Sequence, residues 1–354
     1  MKYFIVSSNK HLDLLGSKIA NQIASLDVRA EFLDFEGRIV PDEAQAGDYC
    51  SSLNGPSIWP IRSFGIVKKV KRKVFEANPD VLILVGFDKR FVNVSRSARQ
   101  AKIKTCLIAG SSMKTKVDGE NLNLLDHSSI KFLATTPVDF DFLMSKRMNA
   151  DYIGNPAVEL IKEHKFEDDF SLNENEVNIA VIPGSGRKQA RRAKSFIYRM
   201  IQEKQNYNWQ IAVTSDSKEV FISFESLGNV CVTEVPKYDL FRNCNAAMVV
   251  SPNDSLESAS LNCPQVYVHL NGGRVKQASL VNQVAKKEVI KEFSGKNCKP
   301  ATVLAELDLI LNDQNYCAGI LADYQMVKSK IGNDRASRKA AQIIVDWLEE
   351  SGSS

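Results

Sequence analysis

The sequence has few histidines and cysteines, and they are not spaced as a metal or disulfide site requires. Four histidines and seven cysteines are scattered over 354 residues, and no two cysteines have CxxC spacing. An odd number of dispersed cysteines argues against a disulfide framework and against a structural zinc site. We therefore expect a protein of the reducing cytoplasm.

Long apolar runs and an excess of one charge are also missing. No apolar stretch approaches the roughly 20 residues that a membrane-spanning helix needs, so membrane contact is expected to be peripheral at most. The 46 Lys and Arg residues against 42 Asp and Glu give a formal net charge of +4. This balance does not indicate a nucleic-acid partner.

Strand-like and helix-like segments alternate along the chain, which predicts an α/β fold. Residues 3–6 and 81–85 are apolar runs typical of buried parallel strands, and residues 66–77 have the pattern of a basic amphipathic helix. The polar stretch 165–176 interrupts this alternation, which restarts at residue 179. We expect two Rossmann-like domains that face one another across a cleft.

These domains are predicted from the position of that polar stretch. The first, on the acceptor side, covers 1–166, and the second, which binds a UDP-sugar, covers 167–335. A C-terminal helix at 336–354 has an apolar face, and its packing on the first domain is a further expectation.

The most informative segment is residues 178–187 (NIAVIPGSGR), an apolar run that breaks at a proline and glycines. The apolar residues fit a buried strand, the glycines let backbone N–H groups approach a ligand, and a following helix N-terminus attracts anions. Arg187 adds positive charge beside the bend. The segment lacks GxGxxG and GxxxxGK[ST] spacing, so a tight turn before a solvated basic helix is the alternative.

Several segments, in order along the chain, resemble blocks of the lipid-A-disaccharide synthases, glycosyltransferases of the two-domain GT-B type. YIGNP at 152–156 is similar to the family's Tyr-Val-Gly-His/Asn-Pro, and PGSGR at 183–187 to its Pro-Gly-Ser-Arg loop with one extra glycine. SPNDSLE at 251–257 is similar to Ser-Gly-Thr-Ala-Thr-Leu-Glu. SLVN at 279–282 and residues 336–341 resemble later blocks, so the resemblance spans nearly the whole chain.

The resemblance implies the inverting transfer of a diacylated glucosamine from UDP to diacylglucosamine 1-phosphate in lipid A biosynthesis, with no cofactor or metal. Because both substrates carry acyl chains, it implies a cytoplasmic enzyme that is peripheral at the inner membrane. The basic segment 68–75, which follows Trp59, fits contact with anionic lipid. A solvated basic helix is an equal alternative, and a homodimer is left open.

The resemblance also implies a donor-binding site in the second domain. Gly184, Ser185 and Arg187 would hold the UDP pyrophosphate. Arg187 would also stabilise the charge that grows as UDP leaves.

Further donor contacts would come from the two later blocks. Ser251 and Ser255 would begin a helix beside the phosphates, and Glu257 would accept hydrogen bonds from ribose or sugar hydroxyls. Asn282 would contact the nucleotide-sugar. For Glu257 the alternative is a carboxylate favoured by a helix N-terminus, which needs no ligand.

The catalytic loops depart from the family pattern. Inverting transfer needs a carboxylate or histidine to take a proton from the acceptor hydroxyl. The family's Asp-x-Pro-x-Phe-Asn is replaced by GFDKRFVN at 86–93, where Asp88 is the local carboxylate. Its Gly-Glu-x-Ser-Gly-Asp loop becomes SNKHLD at 8–13, which keeps Asp13 and adds His11. Asp88, Asp13 and His11 are therefore the catalytic candidates.

These departures leave two hypotheses of different class. The first is an active, divergent glycosyltransferase of this family. The second is a catalytically inactive homologue that keeps the fold as a UDP-sugar or lipid binding or regulatory protein. A nucleotide-sugar epimerase of the same architecture is less favoured, because the matching blocks belong to the synthase pattern. We take the transferase as the leading prediction.

Overall fold

The computed structural model describes the chain except residues 8–11, 34–50, 53–62, 87–88, 110–129, 168–171, 174, 185, 271–278, 333–334 and 353–354. The chain divides into two compact units. The first comprises Met1–Pro156 and Asn333–Ser354, and the second comprises Ala157–Gly332. This boundary precedes the one placed by sequence after residue 166.

The strands follow the apolar runs of the sequence. They are β1 (Lys2–Ser7), β2 (Glu31–Leu33), β3 (Ser51–Ser52), β4 (Val81–Val85), β5 (Lys104–Ala109), β6 (Ile130–Ala134), β7 (Ala150–Tyr152), β8 (Val177–Ile182), β9 (Tyr207–Ala212), β10 (Val230–Thr233), β11 (Ala246–Val249), β12 (Gln265–His269) and β13 (Glu292–Ser294).

Helices connect most of these strands. They are α1 (Asp13–Leu26), α2 (Ser63–Ala77), α3 (Lys89–Gln100), α4 (Pro137–Ser145), α5 (Pro156–Glu163), α6 (Arg187–Glu203), α7 (Lys218–Phe221), α8 (Lys237–Asn243), α9 (Pro252–Ser260), α10 (Leu280–Ala285), α11 (Pro300–Asn312), α12 (Gln314–Ile331) and α13 (Ala336–Gly352). Two short 3₁₀ turns cover Ile222–Phe224 and Gly295–Asn297. Among the described residues, no helix is both long and apolar enough to cross a bilayer.

The first unit is built on a parallel sheet with strand order β2-β1-β4-β5-β6-β7, and β3 also pairs with β1. Its strands alternate between two buried faces, as a sheet covered by helices on both sides requires. Phe4 packs with Val70 and Val74 of α2 on one face. Ile5 packs with Ile19 of α1 on the other, where α13 lies against α1 and adds Ile344.

The second unit has its own parallel sheet, with strand order β10-β9-β8-β11-β12-β13. The central strand β8 is buried from Asn178 to Ile182, which is why its sequence is a continuous apolar run rather than an alternating one. Two parallel sheets with helical connections confirm the predicted α/β class.

Candidate active site

The glycine-rich bend leaves the carboxyl end of β8. Gly184 has φ +97°, and a Cβ there would lie 2.6 Å from Oε1 of Gln189. The backbone conformation therefore favours glycine, and a Cβ there would also force the Gln189 side chain to move. Ser185, the next predicted ligand, lies outside the described residues.

Helix α6 begins immediately after the bend. Gly186 is its N-cap in an extended conformation, and its carbonyl accepts a hydrogen bond from Ala190 N–H at 3.0 Å. A Cβ on Gly186 would meet no described atom within 4 Å. The first N–H groups of a helix lack partners within that helix, so this end can bind an anion.

Arg187 is the first residue of α6, and its guanidinium already has a partner. Its Nη2 lies 2.8 Å from Oε2 of Glu219 in α7. The two side chains are 52% and 74% exposed, so the pair is screened by water and contributes about 0–1 kcal/mol to stability. A phosphate could replace Glu219 at little cost to the fold.

A second predicted block follows β11, the strand beside β8. Ser251 caps α9 and accepts a hydrogen bond from Asp254 N–H at 3.4 Å. Ser255 is buried, donates to the Pro252 carbonyl and accepts from Leu280 N–H. Its hydroxyl therefore joins α9 to the start of α10.

Glu257 lies in a buried, charged cluster that the sequence did not predict. Its Oε1 accepts a hydrogen bond from Tyr238 O–H at 3.1 Å, and its Oε2 forms an ion pair with Lys237 Nζ. Lys237 also lies 2.7 Å from Asp254. Burial raises the pKa of the Glu257 carboxyl, and the Lys237 ammonium opposes that rise.

The same contacts change the basicity of Lys237 and the acidity of Tyr238. Burial lowers the pKa of Lys237, but the carboxylates of Asp254 and Glu257 outweigh it, and the net pKa is raised. Burial, reinforced by Glu257, raises the pKa of the Tyr238 phenol. Lys237 is therefore a cation and Tyr238 a neutral hydrogen-bond donor at neutral pH.

Asn282 is buried in α10, and its amide is used within the fold. Its Nδ2 donates to the Ile290 carbonyl and to Glu292, each at 2.8 Å, while its Oδ1 accepts from Val289 N–H and Ile290 N–H. These bonds fill the two donors and two acceptor positions of an amide. The predicted contact with a nucleotide-sugar stays a prediction, and it would require one of these bonds to break.

In the first unit, the catalytic candidates belong to loops that leave neighbouring strands. Ser7 at the end of β1 pairs with Val85 at the end of β4. Asp13 begins α1, and its carboxylate accepts a hydrogen bond from the Ser7 hydroxyl. His11 and Asp88 lie outside the described residues.

In each sheet, the carboxyl ends of two central strands lie where an open parallel sheet normally binds ligands. In the second sheet, β9 lies on one side of β8 and β11 on the other, and Ile182 pairs with Val249 at their carboxyl ends. The first sheet has the same change of direction between β1 and β4. Such switch points create a crevice at the carboxyl edge of a sheet. The bend at Gly184 and the segment that begins at Ser251 leave the strands at this edge.

Within the described part of the chain, no cluster of His, Cys, Asp and Glu side chains could hold a metal ion. The charged groups described in the second unit near these strand ends include the Arg187 guanidinium, the Lys237 ammonium and their carboxylate partners.

Comparison with known proteins identifies the family. The family model described as lipid-A-disaccharide synthetase matches residues 61–345. The chain belongs to this family. Lipid-A-disaccharide synthases of Trichlorobacter lovleyi and Geobacter sulfurreducens are 21% and 22% identical to it, over 99% and 98% of this chain and 98% and 97% of theirs. The resemblance drawn from sequence blocks is confirmed, and the protein is a glycosyltransferase-family member.

Solved structures of other proteins share the fold of this chain. The Methanocaldococcus jannaschii UDP-GlcNAc 2-epimerase, in complex with UDP-GlcNAc and UDP, has a TM-score of 0.65 at 13% identity, over 98% of this chain and 99% of that one. The Streptomyces nogalater glycosyltransferase SnogD has a TM-score of 0.61 at 13% identity, with the same coverage of both chains. This likeness confirms the GT-B type of fold.

Sequence reasoning missed four side chains at the second switch point. Gln189 covers Gly184, Glu219 holds Arg187, and Lys237 and Tyr238 hold Glu257. Lys237 follows Pro236 at the start of a short helix, and nothing in the spacing of the chain indicates which carboxylate it meets.

Proposed function

We propose that this protein transfers a diacylated glucosamine from UDP to diacylglucosamine 1-phosphate, as the leading sequence hypothesis expects. The observation that carries the proposal is the composition of the second switch point. A positive-φ glycine bend and the N-terminus of α6 with Arg187 follow β8, and the helix that carries Glu257 follows the adjacent strand β11. The bend and Arg187 can bind an anionic diphosphate, and the Glu257 carboxylate can accept hydrogen bonds from sugar hydroxyls. A nucleoside diphosphate sugar carries both kinds of group.

The donor pyrophosphate is placed at the N-terminus of α6. Backbone N–H groups after Gly184 and the helix dipole offset the negative charge, and Arg187 exchanges Glu219 for a phosphate oxygen. As the bond to the sugar breaks, charge grows on the departing UDP. A guanidinium fixed beside that charge lowers the barrier more than it stabilises the ground state.

Proton removal from the acceptor hydroxyl is assigned to the loops of the first unit. We assign Asp88 as the base, because the Asp13 carboxylate is already held by Ser7 and is better suited to fixing the start of α1. His11 is the alternative base. Asp88→Asn should lower kcat by about 10²–10⁴-fold and leave UDP binding unchanged. If Asp88→Asn keeps full transferase activity and His11→Gln loses it, His11 is the base.

Peripheral contact with the cytoplasmic face of the inner membrane is proposed for α2. Val70 and Val74 face the core, while Lys68, Arg72 and Phe75 are exposed. Cations beside an exposed aromatic ring fit an anionic lipid surface. Lys68→Glu with Arg72→Glu should reduce sedimentation with anionic vesicles, whereas a matched double reversal on α6, at Lys188 and Arg191, should not. If both variants sediment equally with anionic vesicles, α2 is not the membrane contact.

A transfer assay with UDP-diacylglucosamine and diacylglucosamine 1-phosphate, run beside calorimetry with UDP, tests the function. Disaccharide formation together with UDP binding supports the transferase. UDP binding without any product supports the inactive homologue. Absence of UDP binding contradicts the transferase and the UDP-sugar-binding homologue, because both place the nucleotide at the Gly184 bend, and leaves only a lipid-binding homologue. Light scattering on the same preparation tests whether the protein forms a homodimer.

A further inference from the structure

The Glu257 cluster joins the first turn of α8 to the first two turns of α9. Lys237 begins α8, and Asp254 and Glu257 are three residues apart on α9, so their side chains share a face. Both carboxylates are nearly buried, at 9% and 7% exposed, whereas the Lys237 side chain is 33% exposed. Lys237 is thus the most exposed of the three charged side chains, and it holds two carboxylates that keep only a small exposed surface.

The charge of this cluster favours a ligand that donates hydrogen bonds. Two carboxylates and one ammonium sum to −1, which repels a phosphate but accepts hydroxyl protons. Tyr238 and Lys237 each occupy one position on the Glu257 carboxylate. Each carboxylate oxygen has a second lone-pair position, so Glu257 retains acceptor capacity by lone-pair count. Its Oε2 is buried, so a second hydroxyl reaches that oxygen only if the side chains that cover it move.

Whether Glu257 is ionised, and so can accept these hydrogen bonds, depends on the Lys237 ammonium. Without it, Asp254 and Glu257 would be two buried carboxylates side by side, and one of them would take up a proton. A protonated Glu257 would present an O–H group where an acceptor is needed. The titratable groups that face Glu257 are Lys237 and Tyr238 from α8 and Asp254 from its own helix.

We propose that Lys237 is a positioning residue, which holds Glu257 as an oriented carboxylate for the two ribose hydroxyls of a uridine nucleotide. This inference rests on the proposed function, since it deepens the same donor site. Lys237 acts through Glu257, and it sets the preference for a ribose over a sugar without hydroxyls.

The preference is measured by calorimetry with UDP and with dideoxy-UDP, which lacks both ribose hydroxyls. We expect the wild-type protein to bind UDP about 10-fold more tightly, which corresponds to about 1.4 kcal/mol. Lys237→Met should abolish the preference at neutral pH and restore it at higher pH, where Glu257 ionises. Lys237→Arg, which keeps the cation, should retain it.

A double-variant cycle separates this role from a merely structural one. In a Glu257→Gln background the preference is already lost, so adding Lys237→Met should change the ratio of the two affinities by less than 2-fold. If Lys237→Met does not fold, Lys237→Gln carries the same test, since it keeps a polar side chain and still leaves Asp254 and Glu257 side by side without their cation. Thermal unfolding of each variant is measured alongside.

The outcomes distinguish this inference from the function on which it rests. If the wild-type protein binds no UDP, the proposed function fails. If it binds UDP and prefers it, and Lys237→Met keeps that preference at every pH, only the role of Lys237 is overturned. The role of Lys237 is also overturned if Lys237→Met lowers the ratio of the two affinities by the same factor in the Glu257→Gln background as in the wild-type protein.

Discussion

The Arg187 guanidinium lies 2.8 Å from the Glu219 carboxylate, an exposed pair that joins the N-terminus of α6 to α7. Arg187 is the cation that the sequence assigns to the UDP pyrophosphate. A phosphate at this helix end must therefore compete with Glu219 for the guanidinium. Because the pair is exposed, its loss costs the fold little.

Removal of the Glu219 charge should strengthen nucleotide binding. In Glu219→Gln the guanidinium no longer has to leave one anion for another, so the Kd for UDP should fall by up to about 5-fold, equivalent to the 0–1 kcal/mol of an exposed pair. Calorimetry measures this, and Glu225→Gln, an exposed carboxylate just beyond the 3₁₀ turn, is the control. Weaker UDP binding in Glu219→Gln would mean that Glu219 orients Arg187 for the ligand.

Removal of the guanidinium itself should have the opposite effect. A charge-assisted hydrogen bond contributes about 1.5–3 kcal/mol, so Arg187→Ala should raise the Kd for UDP by about 10–150-fold while the unfolding midpoint stays almost unchanged. Arg199→Ala, at an exposed position of the same helix, controls for the general loss of positive charge. An unaltered Kd in Arg187→Ala would exclude the bend as the pyrophosphate site.

The periodicity of the sequence predicted the fold better than it predicted the contacts of the site. Buried parallel strands such as 81–85 are recognisable because both faces are apolar, whereas the short strands β7 and β13 are only half-buried and were not predicted. Gly184 was identified because glycines after a buried strand let backbone N–H groups approach a ligand, and its positive φ is a separate reason for glycine that the structure adds. The partners of Glu257 come from α8, which precedes it in the chain by a whole strand, and a tertiary ion pair of this kind leaves no periodic signal.

The two glycines of the bend should respond differently to the same substitution. Gly184→Ser places a side chain at φ +97° and against Gln189, which should lower the free energy of unfolding by about 1–3 kcal/mol. Gly186→Ser introduces a good N-cap residue where no described atom lies within 4 Å of the new Cβ, so stability should be unchanged or slightly higher. Urea unfolding compares them, and an equal loss would contradict the steric account.

Asn282 should matter for stability whether or not it meets a ligand. Asn282→Ala leaves two buried N–H groups and the Ile290 carbonyl without their amide partner. Each such group costs about 1–3 kcal/mol, so the loss should be about 3 kcal/mol or more in urea unfolding. Asn312→Ala, whose amide donates only to the Asp308 carbonyl at an exposed helix end, should cost less than about 1 kcal/mol. Similar values for the two variants would show that the loop at 289–292 is held by other contacts.

The preference for UDP over dideoxy-UDP should depend on pH through Glu257. Burial, against the opposing charge of Lys237, raises the pKa of this carboxyl above its ordinary value of 4.5. Ribose hydroxyls need the ionised form, so the preference should be complete above that raised pKa and should disappear as the pH falls through it. Using the ratio of the two affinities removes the titration of the nucleotide phosphate, which both ligands share. Glu257→Gln should show no preference and no pH dependence. A wild-type ratio that stays constant until the protein unfolds in acid would mean that Glu257 does not contact the ribose.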